Sequence, residues 1–163
     1  MRPHARYAYT LIEVLVVVVL LSIVAGIVVP QMLRAGTLGV QAAARMVVAD
    51  ILHAQNDAVA HQRPRRVVFN VAENRYRLTD ATGETLPAPW RSGEAHQVDL
   101  KADRRFANVR LVEADFNGQG TLEFDEMGSP ASGGEVVLEY EQRRYSILVA
   151  PFTGRVSVKA ESP

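Results

Sequence analysis

Residues 8–30 read AYTLIEVLVVVVLLSIVAGIVVP, an apolar run that contains a single acid, Glu13, near its start. From Val14 to Val29 no residue is charged, and the one polar side chain is that of Ser22, whose hydroxyl can bond a carbonyl one helical turn back. A helix from Tyr9 to Pro30 would be about 33 Å long, enough to cross a hydrocarbon layer of about 30 Å. The run is therefore predicted to form a membrane or assembly helix.

Two ordinary segments could also produce such a run: a cleaved secretory signal or a single-pass anchor. Glu13 argues against both, because an acid is unusual at the start of a signal and an anchor has no need of one. Near the bilayer centre an ionisable side chain costs on the order of 3 kcal/mol, so Glu13 predicts a cationic partner. If the chain were cut after Ala8, Tyr9 would offer a free amine about one turn away, on the same chain or on a neighbour.

The stretch from Tyr9 to Pro30 resembles the class III signal of type IV pilins and type II secretion pseudopilins, in which a small residue, an aromatic residue, Thr, Leu, Ile and Glu precede an apolar helix. Ala8 stands where that family prefers glycine. The resemblance implies that a prepilin peptidase cuts before Tyr9 and that the new amine is methylated. It also implies that Glu13, the fifth residue counted from Tyr9, pairs with a neighbouring subunit's amino terminus, and that Pro30 kinks the helix.

Charge and composition restrict the function of the rest of the chain. The 163 residues include 18 basic and 18 acidic residues and no cysteine, which excludes disulfides, thiolate zinc sites and thiol catalysis. Arg2, Arg6 and Glu13 are the charged residues before Pro30, so the remainder is close to neutral, with 16 basic and 17 acidic residues. Neither a G-x-S-x-G nor an H-E-x-x-H signature is present, and no enzyme activity, cofactor or metal site is predicted.

Residues 31–63 are predicted to continue the helix as an amphipathic half, loosened by glycines at 36 and 39. Apolar residues recur there at helical spacings, whereas Asp50, Gln55 and Asp57 are predicted to lie off the apolar stripe. The stripe consists of Val40, Val47, Ile51, Ala54 and Ala58.

After Pro64 the period of the pattern changes to two, which predicts strands, and residues 82–95 are predicted to be a loop. The predicted strands are residues 65–71, 75–80, 96–100, 108–114, 120–126, 135–141, 143–150 and 154–160. The fold class predicted is α+β: a long N-terminal α-helix, with a membrane half and an amphipathic half, packed on a small antiparallel β-sandwich or bent sheet. The domains predicted are a cytoplasmic leader peptide (1–8), a transmembrane or assembly helix (9–30), an amphipathic helix (31–63) and a periplasmic β domain (64–163).

Residues 124–158 resemble the carboxy-terminal half of the GspH/FimT branch of the pilin family, in which a glycine-rich turn leads to a hairpin ending in TGRV. The two resemblances together imply a structural minor pseudopilin of a type II secretion system, held by a single pass in the bacterial inner membrane. Its expected partners are the prepilin peptidase, other major and minor (pseudo)pilins and a secreted substrate. Nucleic acid is not expected for so neutral a chain.

A DNA-binding minor type IV pilin of the FimT kind, and an unprocessed membrane-anchored domain, remain alternatives. Some FimT-like pilins bind DNA through basic residues near the carboxy terminus, and the corresponding candidates here are Arg143, Arg144, Arg155 and Lys159. A second basic cluster, Arg63, Arg65 and Arg66, lies where the helix gives way to strands.

Two further patterns have simpler explanations than the sites they suggest. Residues 115–126 nearly fit a calcium-binding EF-hand loop, but a turn between strands explains them without a metal and is the favoured interpretation. His53, Asp57 and His61 recur every four residues and could hold a metal, but such a stripe is more often a solvated helix face.

Overall fold

The computed structural model describes residues 10–89, 93–106, 108–141 and 143–161, of which residues 27–37 are described by their backbone alone. One long helix, α1 (Leu11–His61), precedes the strands. The strands within the described residues are β1 (Arg65–Asn70), β2 (Arg75–Asp80), β3 (Gln97–Asp99), β4 (Arg110–Asp115), β5 (Thr121–Phe124), β6 (Gly134–Tyr140), β7 (Arg143–Val149) and β8 (Val156–Glu161), with a 3-10 turn at Arg104–Phe106. The predicted α+β class is confirmed.

The chain divides between Ala35 and Gly36 into two units. In the first unit every residue from Thr10 to Gly26 is exposed. Helical backbone continues through residues 36–39, so the predicted loosening by glycine does not interrupt α1. Among the described residues, no helical stretch is both long enough and apolar enough to qualify as a membrane span.

Two four-stranded antiparallel sheets make up the β part of the second unit. The strand orders are β3-β2-β1-β5 in one sheet and β4-β6-β7-β8 in the other. β1 and β2 form the predicted hairpin, with Arg65 opposite Asp80 and Asn70 opposite Arg75. The prediction left open whether the strands form a sandwich or one bent sheet, and the structure has two separate sheets.

The carboxy-terminal part of α1 packs on these sheets through the predicted apolar stripe, whose residues are fully buried. They join side chains from both sheets, such as Leu78 of β2 and Ile147 of β7, in one core cluster. Burial alternates along β1, as expected for a strand with one face on a core. The apolar residues of helical spacing in α1 and those of alternating spacing in the strands therefore form a single core.

Asp50 corrects the prediction that it lies off the apolar stripe. It is 1% exposed, because it follows Val47 by three residues and precedes Ala54 by four, and so lies on the same buried face. One of its carboxylate oxygens accepts a 2.5 Å hydrogen bond from the Tyr76 hydroxyl, and the other is 3.0 Å from Nε2 of His96. This buried network ties α1 to β2 and to the residue just before β3.

The network also affects the ionisation of Tyr76. Burial, followed by the negative charge of Asp50 and the hydrogen bond to it, raises the pKa of the Tyr76 hydroxyl well above its ordinary value. Tyr76 therefore remains a neutral hydrogen-bond donor to a buried carboxylate over the ordinary pH range.

Tyr76→Phe is expected to lower the free energy of unfolding by about 2 kcal/mol, because it removes a hydrogen bond to a buried carboxylate. Tyr145→Phe is the matched control, since its hydroxyl accepts a 3.1 Å hydrogen bond from the neutral amide of Gln41. The control should lose only about 1 kcal/mol. Urea unfolding of the full chain in detergent measures both values, and equal losses would contradict a special role for the Asp50 network.

The raised pKa of Tyr76 also predicts a loss of stability at alkaline pH. Because the folded pKa is above the unfolded value of about 10, the contribution is complete below pH 10 and declines as pH rises further. The stability difference between the wild type and Tyr76→Phe should therefore shrink above about pH 10, by up to ~1.4 kcal/mol per pH unit. Urea unfolding between about pH 9 and pH 11, one unit to either side of that value, tests this, and a constant difference would contradict it.

Candidate functional site

The start of α1 is formed by Thr10 and Glu13. The Glu13 amide donates to the Thr10 carbonyl at 3.1 Å and lies 3.3 Å from the Thr10 hydroxyl oxygen. Thr10 thus caps the helix, with an acid three residues later as in a capping box. The acid also suits the positive end of the helix dipole. Local helix chemistry therefore accounts for Thr10, but it leaves the exposed carboxylate of Glu13 open to an external partner.

The other predicted processing and assembly positions fall outside what the structure describes. Ala8, Tyr9 and the rest of the predicted leader precede the first described residue. At Pro30 the backbone is helical, while the side chain is outside the described set. The roles assigned to these residues remain predictions.

From Val14 to Gly26 the described side chains of α1 are apolar around the helix, with Ser22 as the one polar exception among them. Fractional exposure ranges from 48% at Val16 to 85% at Leu11. The hydroxyl of Ser22 is satisfied within the helix, because it donates a hydrogen bond to the Val18 carbonyl at 2.8 Å. A surface of this kind, uncovered by its own chain, requires lipid or other apolar helices around it.

The four candidate DNA-contacting residues do not converge on one point. Arg144 and Lys159 lie on the outer face of the β7–β8 hairpin, opposite the face that carries Tyr145 and Ile147. Arg143 begins β7, whereas Arg155 immediately precedes β8 at the other end of the hairpin. Seven strand residues at about 3.3 Å each separate these ends by about 23 Å.

Acidic neighbours neutralise the outer face of this sheet. Glu139 bonds both Arg110 and Arg144, the latter at 3.0 Å, and Lys159 lies 3.5 Å from Glu161. The hydrogen bond from Arg144, together with the positive charge of Arg110, holds the pKa of Glu139 below its ordinary value. The charges of Arg144 and Lys159 are therefore partly neutralised by carboxylates within the same sheet.

The basic cluster near the end of α1 is also paired. Arg65 Nε lies 2.5 Å from a carboxylate oxygen of Asp57, and Arg66 makes a two-pronged contact with Glu123 at 3.0 and 3.2 Å. The same Asp57 lies 3.1 Å from His61. Two of the three arginines thus fasten the helix end and β5 to β1.

The stripe of His53, Asp57 and His61 is therefore not simply a solvated face. Asp57 reaches Arg65, and the His53 ring stacks on that of His96 with 5.4 Å between centroids. Sequence reasoning missed both contacts, because Arg65 lies beyond the end of α1 and His96 lies far along the chain. Within the described residues, no three His, Cys, Asp or Glu side chains are grouped so that they could hold a metal ion.

The segment that resembles a calcium loop connects β4 to β5. Asp115 accepts a 2.7 Å hydrogen bond from the Gly118 amide, and Asn117 has a left-handed backbone with φ of 58°. Glu126, which would be the last calcium ligand, follows β5 and so lies a whole strand away from the turn. Turn geometry explains this run of Asp, Asn and Gly.

Comparison with known proteins adds a motif and a fold. Residues 4–29 match the family model described as the prokaryotic N-terminal methylation motif. That match includes Ala8, Tyr9 and Glu13, and a motif of this kind implies that the amino-terminal helix anchors the chain in a membrane. No curated protein sequence matches the chain.

Solved structures of similar fold come from two bacteria. The type IV minor pilin FimU of Pseudomonas aeruginosa is 17% identical, with a TM-score of 0.55, over 75% of this chain and 92% of FimU. A second crystal form of FimU is 15% identical over 74% and 96% of the two chains, with a TM-score of 0.54. The minor pseudopilin EpsH from the Type 2 Secretion System of Vibrio cholerae is 12% identical over 74% and 95%, with a TM-score of 0.55. At such identities these matches show a shared fold.

The resemblance found in the sequence is thereby confirmed from two independent sides, the motif at the amino terminus and the fold of the remainder. In its methylation motif and in the α+β fold of the remainder, the chain is similar to the type IV pilin-like proteins.

Proposed function

We propose that the chain is a structural minor pseudopilin of a type II protein secretion system. In this proposal the prepilin peptidase cuts between Ala8 and Tyr9, the Tyr9 amine is methylated, and the subunit enters a periplasmic pseudopilus. The observation that carries the proposal is the exposed apolar surface of residues 11–26, which lie within the amino-terminal methylation motif. The fold shared with EpsH supports it.

Before assembly, the apolar helix (9–30) would hold the chain in the bacterial inner membrane. Residues 1–8 would form the cytoplasmic leader, and the amphipathic helix (31–63) would carry the β domain (64–163) in the periplasm. Lipid would then cover the side chains from Leu11 to Val24 that the chain leaves exposed.

During assembly, the same side chains would pass from lipid to a bundle of neighbouring helices. Lipid is as apolar as the helices, so this exchange supplies little hydrophobic driving force of its own. A charge pair in the apolar bundle would fix the orientation and register of one helix against the next. Glu13 is exposed at the first turn of α1, where a neighbour's amino terminus could reach it. We propose this pairing as the role of Glu13, and a helix bend at Pro30 as a fit to the bundle.

The expected partners are therefore the prepilin peptidase, other major and minor (pseudo)pilins, the inner membrane and a secreted substrate. The role is structural rather than catalytic. The alternative is a minor type IV pilin that binds DNA for uptake. The fold shared with FimU, a type IV minor pilin, is compatible with it. The pairing of Arg144 with Glu139 and of Lys159 with Glu161 favours secretion over uptake.

Glu13→Gln tests the proposal, because it removes the charge and keeps the shape of the side chain. We expect normal membrane insertion and cleavage but at least a tenfold loss of the chain from sheared filaments, since an unpaired amine in an apolar bundle costs several kcal/mol and about 1.4 kcal/mol is tenfold. Val17→Ala, which trims the same helix without changing charge, should be incorporated almost normally. Recovery of the Glu13→Gln variant in filaments at the wild-type level would contradict the proposed charge pair.

A gel-shift experiment separates secretion from DNA uptake. The full chain in detergent should give no salt-sensitive shift with duplex DNA, and replacing Arg143, Arg144 and Arg155 with alanine should change nothing. A shift that weakens with added salt and disappears in the triple variant would favour the DNA-binding alternative.

A further inference from the structure

Each sheet of the second unit has two edge strands, and three of these four edges are protected from pairing with another chain. β3 is three residues long, and β4 carries a bulge between Leu111 and Glu113. On the open side of β5, the Ala131 amide donates to the Glu123 carbonyl at 2.9 Å, so the loop that follows β5 covers this edge. Short strands, bulges and covering loops are the usual ways in which proteins protect a sheet edge.

The fourth edge, formed by β8, has none of these protections within the described residues. β8 extends over six residues and pairs with β7 in unbroken register. Its other side is the outer edge of the sheet, because the strand order is β4-β6-β7-β8. No described residue pairs with that side. Among the edges that the structure describes, β8 is therefore the long, regular and uncovered one.

The hydrogen-bond pattern shows which backbone groups of β8 point away from the sheet. The Ala150 amide donates to the Arg155 carbonyl at 2.9 Å, which makes these two residues a hydrogen-bonded pair of the antiparallel ladder. Such pairs alternate along the ladder with pairs that are not hydrogen-bonded to each other. The residues whose N–H and C=O groups face outward are therefore Val156, Val158 and Ala160. They present donors and acceptors along about 13 Å of edge.

The side chains of these outward-facing residues lie on the core side of the sheet, but the core does not cover all of them. Val158 and Ala160 are opposite Ile147 and Tyr145, which belong to the core cluster. Val158 is nevertheless 49% exposed, and Ala160 is exposed as well. Val156, at the start of β8, is partly buried against the core. An uncovered apolar strip thus lies beside the uncovered backbone groups.

The alternate side chains of β8, on the outer face of the sheet, are polar. They are Ser157, Lys159 and Glu161, and Lys159 Nζ lies 3.5 Å from a carboxylate oxygen of Glu161. A lysine often protects an edge strand. Here the ammonium group is directed along the strand to Glu161, so it does not cap the open backbone groups. A segment that fits this edge therefore needs apolar side chains on the core side and polar ones at the alternate positions.

We infer that the open edge of β8 accepts an extended segment of another protein, which adds as a fifth strand to this four-stranded sheet. In such an addition the backbone hydrogen bonds supply affinity, and the alternation of apolar and polar side chains supplies specificity. The segment would extend the apolar core over Val158 and Ala160, which the chain itself leaves exposed.

The size of the contact indicates where it acts. Six residues of strand are about 20 Å long and about 4.8 Å wide, which is much smaller than the interface of about 800 Å² per partner that a stable complex needs. The added strand therefore joins proteins that other contacts already hold together. The choice of another protein over a second copy rests on the proposed function, because a minor subunit has other proteins as its neighbours. The open edge itself does not depend on that function.

Amide hydrogen exchange of the full chain in detergent tests the acceptor edge. The probe is a synthetic peptide of residues 143–149, the strand that β8 already accepts on its other side. Without the peptide, the three outward-facing amides of β8 should exchange fast and those of Ser157 and Lys159 slowly. Peptide at its Kd should slow the three outward-facing amides about twofold. The same peptide with methylated nitrogens at alternate positions keeps its side chains but cannot complete the ladder, so it should slow none of them.

Two variants at one position separate the backbone group from the side chain. Val158→Pro removes an outward-facing N–H, at the kind of edge position where proline is tolerated, and Val158→Thr keeps both the N–H and a β-branched side chain. Val158→Pro should weaken peptide binding about two- to tenfold, the effect of one hydrogen bond. Val158→Thr should bind almost normally. Neither variant should lower the thermal midpoint, because the bonds to β7 are retained.

Photo-cross-linking in the native host identifies the occupant. Benzoylphenylalanine in place of Ala160 should cross-link, in sheared filaments, to an extended segment of a different filament protein, located by mass spectrometry. The yield should fall about two- to tenfold when Val158→Pro is added and persist when Val158→Thr is added. Benzoylphenylalanine in place of Leu148, which is 38% exposed on the outer face of β7, is the matched control and should not give this product.

The inference is overturned if the peptide protects none of the three outward-facing amides, or if the methylated peptide protects them equally. A cross-link that Val158→Pro leaves unchanged, a cross-link only between two copies of this chain, or no cross-link in filaments that contain the chain also overturns it. If the chain never enters filaments, the proposed function has failed, whereas the peptide experiment still decides whether β8 accepts a strand. The two failures are therefore distinguishable.

Discussion

The apolar side chains at the beginning of α1 impose the main constraint on this protein, because its own chain leaves them uncovered. From Leu11 to Val24 the described apolar residues surround the helix and are about half exposed or more. Water is an unfavourable neighbour for such a surface. In the proposed function, lipid covers the helix first and other helices cover it later. Anchoring, cleavage and assembly can all be understood as ways of satisfying that one requirement.

Two acidic residues on α1 have different roles because one is buried and the other is exposed. Asp50 is buried against the sheets and receives hydrogen bonds within the chain, so its function is to fix the helix on its domain. Glu13 is exposed in the first turn, where the chain offers a backbone cap but no described cation. The first acid is explained by its own fold, whereas for the second we propose a partner on a neighbouring subunit.

Periodicity was sufficient to predict most of the fold. The helical stripe from Val40 to Ala58 and the hairpin of residues 65–80 follow from spacing alone, since burial on one face requires such spacing. The division into two sheets did not follow, because β5 returns to β1 across a long stretch of sequence. Side-chain pairs between elements were also missed, because no local pattern specifies the partner of a polar residue. Examples are Asp50 with His96 and Asp57 with Arg65. At the amino terminus the site is predicted from the motif alone, and the chemistry proposed for it involves a second molecule.

The central claim is that the acid at position 13 exists to meet an amine created by cleavage. Mass spectrometry of the amino-terminal peptide, from the full chain extracted from native membranes, measures that step most directly. The account predicts a mature chain that begins at Tyr9 with a methylated amine. A membrane-extracted chain that keeps Met1 would contradict it, and the apolar helix would then be only an anchor.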